Sequence, residues 1–414
     1  MMTKLVLDKP APRPQTRSFD PSRKCPNCFS SGMSLFYAAE NIPVHSTVQT
    51  ASPDDAVNFP RGRLQLGFCS TCGFVSNTAY DASLQEYCSN CEESQGFSPT
   101  FNAFAKKLAQ TWIDRYQIRE KTILEIGCGK GEFLVLMCDL GNNRGIGIDP
   151  SYQPQRTPEE FKKRVEFIQD HYNEKYSHLT ANVVLCRHTL EHIGRTGEFL
   201  RSIRRTIGRQ LDTIVLFELP DVVRVLKEGA FWDIYYEHCS YFSPGSLARL
   251  FRQSGFDVVE LERCYDDQYL LIGARPVEGD VPPPSLPLED DLEEMRELVD
   301  GATRRLADGV NYWRNLILDF HAQGKKVVVW IALSKAVAFL TTLDVGNAVE
   351  FVVDINPFRQ NKFMPGTGQR IVPPQFLADY KPDVVILMNP IYRKEVQADL
   401  DKMGLGAKLL TVGT

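Results

Sequence analysis

Short apolar runs and longer stretches of helical period alternate through the middle of this chain. Ile123–Ile126, Arg144–Ile148, Val165–Ile168, Val183–Cys186 and Thr213–Leu219 are too short for buried helices and read as strands. Glu132–Cys138, Gly197–Ile207 and Pro244–Ser254 read as helices between and after them. Val258–Arg263 and Tyr269–Ala274, joined by Tyr265-Asp266-Asp267, read as a hairpin. Upstream, Phe101, Phe104, Leu108, Trp112 and Ile113 recur at a 3-4 spacing and predict a helix over 97–118. This alternation predicts a doubly wound parallel sheet closed by an antiparallel pair.

The pattern breaks at PVEGDVPPPSLPLED, residues 276–290, an acidic, proline-rich linker. A mixed-charge helix then runs to about Gln323. Beyond it, KKVVVWIALSKAVAFL predicts a buried strand and a helix. Further strands follow at Glu350–Asp354, Asp383–Met388 and Leu409–Val412, making a second, smaller βα sheet. The organisation expected is a disordered tail over 1–22, a metal-binding unit over 23–95, a central sheet unit over 96–276, a linker over 277–290 and a C-terminal α/β unit over 291–414. A chain of 414 residues is too long for one ordinary core.

Composition narrows the classes. Hydrophobic content of 43% and charged content of 24% are those of a soluble globular protein. A net charge of −5 argues against a nucleic-acid partner. Arg201, Arg204, Arg205 and Arg209 read as the wet face of a helix. No run approaches the roughly 18 apolar residues of a membrane span. The opening MMTKLVLDKPAPRPQ lacks a signal-peptide core, so a cytoplasmic location is expected. Eleven cysteines in that setting point to thiols or metal rather than disulfides.

The sharpest motif is TILEIGCGKGEFL, residues 122–134. A strand ends in Gly127, Gly129 and Gly131, and a helix follows at once. Such a turn lets backbone approach a ligand without an intervening Cβ. The next strand ends at Asp149, whose carboxylate suits a ribose diol. The spacing E-x-G-x-G-x-G, with Glu125 ahead of the glycines, differs from the dinucleotide pattern G-x-G-x-x-G. It resembles the first motif of class I S-adenosylmethionine (SAM)-dependent methyltransferases. Asp170, His188 and Arg187 fall at the carboxyl ends of later strands, around the same crevice. Asp170 is expected to bond the adenine amino group.

Cys25-Pro-Asn-Cys28 and Cys69-Ser-Thr-Cys72 are two C-x-x-C knuckles. Four thiolates complete a closed tetrahedral site, so a structural zinc is expected. Cys88 and Cys91 share the spacing but have no second pair nearby and read as free thiols. Cys128, Cys138, Cys186, Cys239 and Cys264 read as small buried side chains.

The chemistry-bearing stretch is Phe231 to Phe242, FWDIYYEHCSYF. His238 is the candidate general base, since imidazole titrates near neutrality. Glu237, Tyr235 and Tyr236 can orient it or bind hydroxyls. His192, in His188-Thr189-Leu190-Glu191-His192, faces it across the cleft.

With these features together, the chain resembles the SAM-dependent sugar C-methyltransferase family, whose members methylate a carbon of a nucleotide-linked keto-deoxysugar in natural-product glycosylation. The resemblance rests on the two knuckles, the glycine motif, Y-x-E-H-x-x-x-F-S from Tyr235 and EFVVDINPFRQNKFMPGT from Glu350. It implies an α/β fold: a class I Rossmann-like methyltransferase sheet, an N-terminal zinc-binding domain and a second Rossmann-like βα domain that binds substrate. It implies catalytic roles for His238, Glu237, Tyr235 and His192, and SAM contacts from Gly127, Gly129, Asp149 and Asp170. Cys25, Cys28, Cys69 and Cys72 match the family's zinc ligands, and the 350–367 segment resembles its nucleotide-sugar segment. Cys264 to Gln268 replace the family's H-G-G segment, and Ile331-Ala332-Leu333 replace a glycine-containing turn before Ser334-Lys335. The expected partners are a small molecule, neither nucleic acid nor membrane, with the chain a monomer or small homo-oligomer. Two further readings are O-methylation of a glycosyl or natural-product hydroxyl and a non-catalytic binding protein on a SAM fold.

Overall fold

The computed structural model describes residues 18–85 and 90–413. Four strands come first: β1 (Ser18–Lys24), β2 (Ser31–Pro43), β3 (Arg61–Phe68) and β4 (Val75–Asn77). The middle of the chain adds β5 (Thr122–Ile126), β6 (Arg144–Ile148), β7 (Val165–Ile168), β8 (Val183–Arg187), β9 (Ile214–Pro220), β10 (Ser240–Tyr241), β11 (Phe256–Cys264) and β12 (Tyr269–Pro276). The last part holds β13 (Val327–Trp330), β14 (Phe351–Val353), β15 (Arg370–Val372), β16 (Val384–Leu387) and β17 (Lys408–Thr411). The tail expected over 1–22 overlaps β1, because Ser18, Phe19 and Asp20 pair with Leu35, Ser34 and Met33 of β2; residues 1–17 lie outside the described residues.

The central sheet runs β11-β12-β9-β8-β5-β6-β7. All pairs are parallel except those of β12, which is antiparallel to both β9 and β11. This is the class I methyltransferase order, with the glycine turn leaving β5 at the middle. The topological switch lies between β5 and β8, so their carboxyl ends open the ligand crevice.

The first sheet, β1-β2-β3-β4-β10, takes its last strand from the middle of the chain. Ser240 pairs with Ser76 and Tyr241 with Val75. The loop carrying His238 is thus stitched to the N-terminal sheet.

The C-terminal sheet, β15-β14-β13-β16-β17, is wholly parallel. Its first turn repeats the geometry of the central one. Gly127 N–H donates to Ile148 O at 2.9 Å and Ile331 N–H to Val353 O at 2.8 Å. Gly129 N–H donates to Asp149 at 2.8 Å and Ala332 N–H to Asp354 at 2.7 Å. Ile331 has φ 88° where Gly127 has φ 72°. A β-branched residue in that region is strained, so this turn is held by its surroundings.

The 31-residue helix Leu292–Ala322 joins the parts. Met295, Val299, Ala302, Leu306, Val310, Trp313, Ile317 and Phe320 form its buried stripe, at steps of three and four residues. The stripe shares one apolar core with Phe36 and Leu64 of the first sheet, Val222 to Ile234 of the middle and Val327 of the last. Each such side chain contributes about 1.5–3 kcal/mol when fully buried. The end of the expected linker is docked too: Glu289 is buried and takes Arg252 in two bonds of 2.7 and 2.8 Å.

Candidate active site

The donor half is built on the turn after β5. Gly127, Gly129 and Gly131 have φ of 72°, 53° and 82°, a region other residues enter only with strain. A Cβ on Gly127 would strike the Thr189 side chain, and one on Gly131 the Phe167 ring. Asp149 accepts the Gly129 N–H on one oxygen at 2.8 Å and the Ser151 N–H on the other at 2.7 Å. Both oxygens keep lone pairs for a diol. Glu125 is buried with one carboxylate oxygen lacking a partner. Burial pushes its carboxyl up to about 8 against the pull of Arg187. An open backbone turn beside an unsatisfied buried acid fits a cationic cofactor such as SAM.

Asp170 lies on the rim with His171 and Tyr172. Its carboxylate accepts from His171 N–H at 2.8 Å, Tyr176 hydroxyl at 2.5 Å and Lys175. Lys175 and then Tyr176 hold it down at about 2.

The glycine turn opens into a cavity of about 970 Å³ that also admits Tyr235, His238, His192, Glu191 and His188. Tyr235 hydroxyl and His238 Nε2 are 2.9 Å apart. The His192 and His238 rings are 5.0 Å apart and nearly perpendicular. His192 Nδ1 bonds the Glu237 carbonyl at 3.0 Å, which fixes the ring at the cavity wall. Burial lowers the His238 pKa well below the usual imidazole value, and charge on His192, His188 and Lys335 adds to this. His238 is therefore neutral near pH 7, as a base requires. Burial opposes charge on His188, but Glu218 and Glu191 outweigh it and raise its pKa to about 9.

Three departures from sequence expectation stand out. The Glu237 carboxylate turns away from His238 and the cavity. It accepts from His45 Nδ1 at 3.0 Å, Ser46 N–H at 2.9 Å, Ser46 hydroxyl and Thr47 hydroxyl at 3.3 Å. It anchors the N-terminal segment instead of orienting the base. The polar side chains of the 350–367 segment also miss the cavity: Asn356 and Arg359 bond residues 92–94. Finally, a helix at Val222–Glu228 precedes the histidine loop, capped by Asp221 and closed by Gly229 at φ 64°. Both caps were readable signals.

Other cavity residues are assembled only by the fold. Glu191 is buried between the histidines, 4.0 Å from His238 Nε2 and 3.8 Å from His188 Nδ1, with one oxygen unpartnered. Glu218, on β9 behind the cavity wall, holds the lining Arg187 at 2.5 Å. Lys335 enters from the C-terminal unit and meets Asp233 at 3.0 Å, with Arg224 on the other side of that carboxylate at 2.5 Å. The stretch that replaces H-G-G binds the C-terminal unit. Gln268 Nε2 donates to Asn389 Oδ1 at 3.0 Å and Asn389 Nδ2 to Gln268 Oε1 at 2.9 Å, and Tyr265 hydroxyl donates to Tyr392 at 2.7 Å.

Cys25, Cys28, Cys69 and Cys72 bring their sulfurs within 4.8 Å of one another. The Cys25–Cys72 and Cys28–Cys69 separations are 3.8 and 3.7 Å. A tetrahedron with Zn–S bonds of about 2.3 Å has edges of about 3.8 Å, so this set can hold zinc. Cys88 lies outside the described residues. The buried Cys91 offers its carbonyl to Lys130 Nζ at 2.8 Å.

Comparison with known proteins accords with this layout. Residues 101–261 match the family model described as a methyltransferase domain, and residues 299–411 the one described as a C-methyltransferase C-terminal domain. The C-methyltransferase NovU of Streptomyces niveus is 26% identical over 310 residues, covering 70% of this chain and 72% of NovU. The chain is a SAM-dependent C-methyltransferase. Solved structures similar to this methyltransferase include 1,6-didemethyltoxoflavin-N1-methyltransferase of Burkholderia thailandensis, at 19% identity over 42% of this chain and 79% of that one, TM-score 0.34. Magnesium protoporphyrin IX methyltransferase of Synechocystis is another, at 12% identity over 43% and 84%, TM-score 0.33. Among the described residues, no helix of the methyltransferase is long and apolar enough to cross a membrane.

Proposed function

We propose that the chain methylates a carbon beside a ketone on a nucleotide-linked keto-deoxysugar, with His238 as the general base. One observation carries this reading. A buried, neutral histidine, bonded to Tyr235, shares a single cavity with the glycine turn. The ketone acidifies the neighbouring C–H, and His238 Nε2 takes that proton. Tyr235 stands beside the same nitrogen, positioned to bond the developing enolate oxygen. His192, held by the Glu237 carbonyl, lines the cavity beside His238. SAM supplies the electrophilic methyl when bound at Gly127, Gly129 and Asp149. Lys335 and Arg224 are the cations at the far wall for an anionic carrier. The four-cysteine cluster holds a structural zinc, since four thiolates leave no open position.

The test uses a panel of nucleotide-linked ketosugars in deuterated water. Without SAM, the enzyme should wash deuterium into the carbon beside the ketone. With SAM, the product should gain one methyl whose carbon shift is that of a C-methyl group. No exchange and no methylation across the panel would refute the acceptor class. Exchange that persists in His238→Ala would refute the base.

A further inference from the structure

Residues 91–98 form a strap between the two sheets of nucleotide-binding type, and successive glutamates face opposite ways. Glu92 is buried against the C-terminal unit. Its carboxylate accepts from Asn356 Nδ2 at 2.9 Å and Arg156 at 3.2 Å. Arg359, 3% exposed, donates to the Glu92 carbonyl through Nε and Nη2 at 3.2 and 2.9 Å, and to the Ser94 carbonyl at 2.9 Å. Its remaining nitrogen reaches Asp354 at 3.2 Å. Asp354 is the counterpart of Asp149 in the repeated turn. The C-terminal turn therefore spends its acid on Arg359, and through Arg359 grips the chain's own backbone.

Glu93 points the other way, into the SAM crevice. It meets Lys130 Nζ at 3.2 Å and accepts from Ser151 hydroxyl at 3.2 Å. A Cβ on Gly129 would lie 2.8 Å from its carboxylate. Gly129 and Ser151 are also the two residues whose backbone N–H groups bond Asp149. Asp149 and Glu93 are thus two carboxylates over the same two residues. Glu93 lies 36% open to the cavity by its side chain. Burial raises its carboxyl to about 7, Lys130 opposes this and Asp149 adds to it. Ser94 closes the contact by donating its hydroxyl to Glu132, the first residue after the glycine turn, at 2.7 Å.

We propose that Glu93 is a second carboxylate for the cofactor's ribose, beside Asp149, and that Arg359 is a positioning residue that sets SAM affinity by holding the strap. The inference rests on SAM occupying the glycine crevice and is independent of the acceptor. It gives the C-terminal unit a part in donor binding as well as acceptor binding. Neither Arg359 nor Asn356 lines the cavity, so any effect they have on SAM passes through the strap.

The test is calorimetric titration of the full chain with SAM, S-adenosylhomocysteine and 5′-methylthioadenosine. Glu93→Gln keeps the shape and removes the charge. It should weaken all three ligands by about tenfold, the worth of a charged hydrogen bond, because all three share the ribose. Unchanged affinity would overturn the contact. Weakening of the first two with 5′-methylthioadenosine untouched would place Glu93 at the methionine end and overturn the ribose assignment. Arg359→Ala and Asn356→Ala should each weaken SAM several-fold in protein that remains folded by circular dichroism, with a lowered thermal midpoint because both side chains are buried and bonded. If Arg359→Ala misfolds, Asn356→Ala carries the test. Wild-type affinity in the folded variants would overturn the strap's role. Because the readout is binding, failure of the ketosugar reading leaves these outcomes unaffected.

Discussion

The Tyr235 hydroxyl lies 2.9 Å from Nε2 of His238, and this bond ties a base to a proton donor inside one buried loop. A donor to the neutral ring stabilises that form, in the same direction as burial and the surrounding cations. His238→Ala should keep SAM affinity and lose turnover by about 10²-fold or more, the usual scale of acid–base catalysis. Tyr235→Phe should lose less. Its kcat/KM profile should show the acid limb moved to higher pH, since the ring then protonates more easily. An unmoved limb would show that the bond has no part in setting the base.

Some of this site was readable in advance and some was not. Gly127, Gly129 and Asp149 are legible because a left-handed turn followed by an acid has few other uses. His238 stood out for its titration range and its place beyond a strand. Glu237 misled because adjacency in sequence is not adjacency in space: its side chain leaves for His45 and Ser46 while the next one enters the cavity. Glu191, Glu218 and Lys335 carried no signal at all. Each is a charged residue set in place by partners from other elements: Glu191 and Glu218 are buried and Lys335 is half-buried. The strands of the central sheet followed from apolar runs; their order came only with the fold. So did the loan of Ser240 and Tyr241 to another sheet, because two residues make no pattern.

SAM binding should release protons. Glu125 is raised to about 8 by burial, so at pH 7 it is mostly protonated. A cationic ligand favours its ionised form and expels the proton. Affinity should therefore rise with pH between about 6 and 8 and level off above the raised value. Calorimetry at pH 7 in two buffers of different ionisation enthalpy gives the proton count. Glu125→Gln should remove the upper part of the rise and leave the part carried by Glu93, whose carboxyl is raised to about 7.

Gly127→Ala tests the turn itself. The added methyl meets Thr189 and the backbone stays at φ 72°, so both sterics and strain oppose it. A loss of about 1–3 kcal/mol in stability is expected. SAM affinity should fall further than that, since the backbone must move out of the cofactor's path. Chemical denaturation alongside calorimetry separates the two effects.

Metal content should be one zinc per chain by elemental analysis. Cys72→Ser or prolonged chelation should remove it and lower the thermal midpoint, because metal binding is linked to folding of the first sheet. Turnover should drop in parallel, through β10, whereas SAM affinity should persist. Full activity in metal-free protein would separate the cluster from the site.

The borrowed strand sets a rule for building hybrid enzymes from such chains. The loop from Tyr235 to Phe242 is hydrogen-bonded to the N-terminal region through Ser240, Tyr241 and Glu237 as well as to the part of the chain that encodes it. A chimaera cut at the boundary between those two regions would pair one parent's loop with the other's scaffold and misplace the base. The exchangeable module is discontinuous: the first sheet together with the 235–242 loop, moved as one piece.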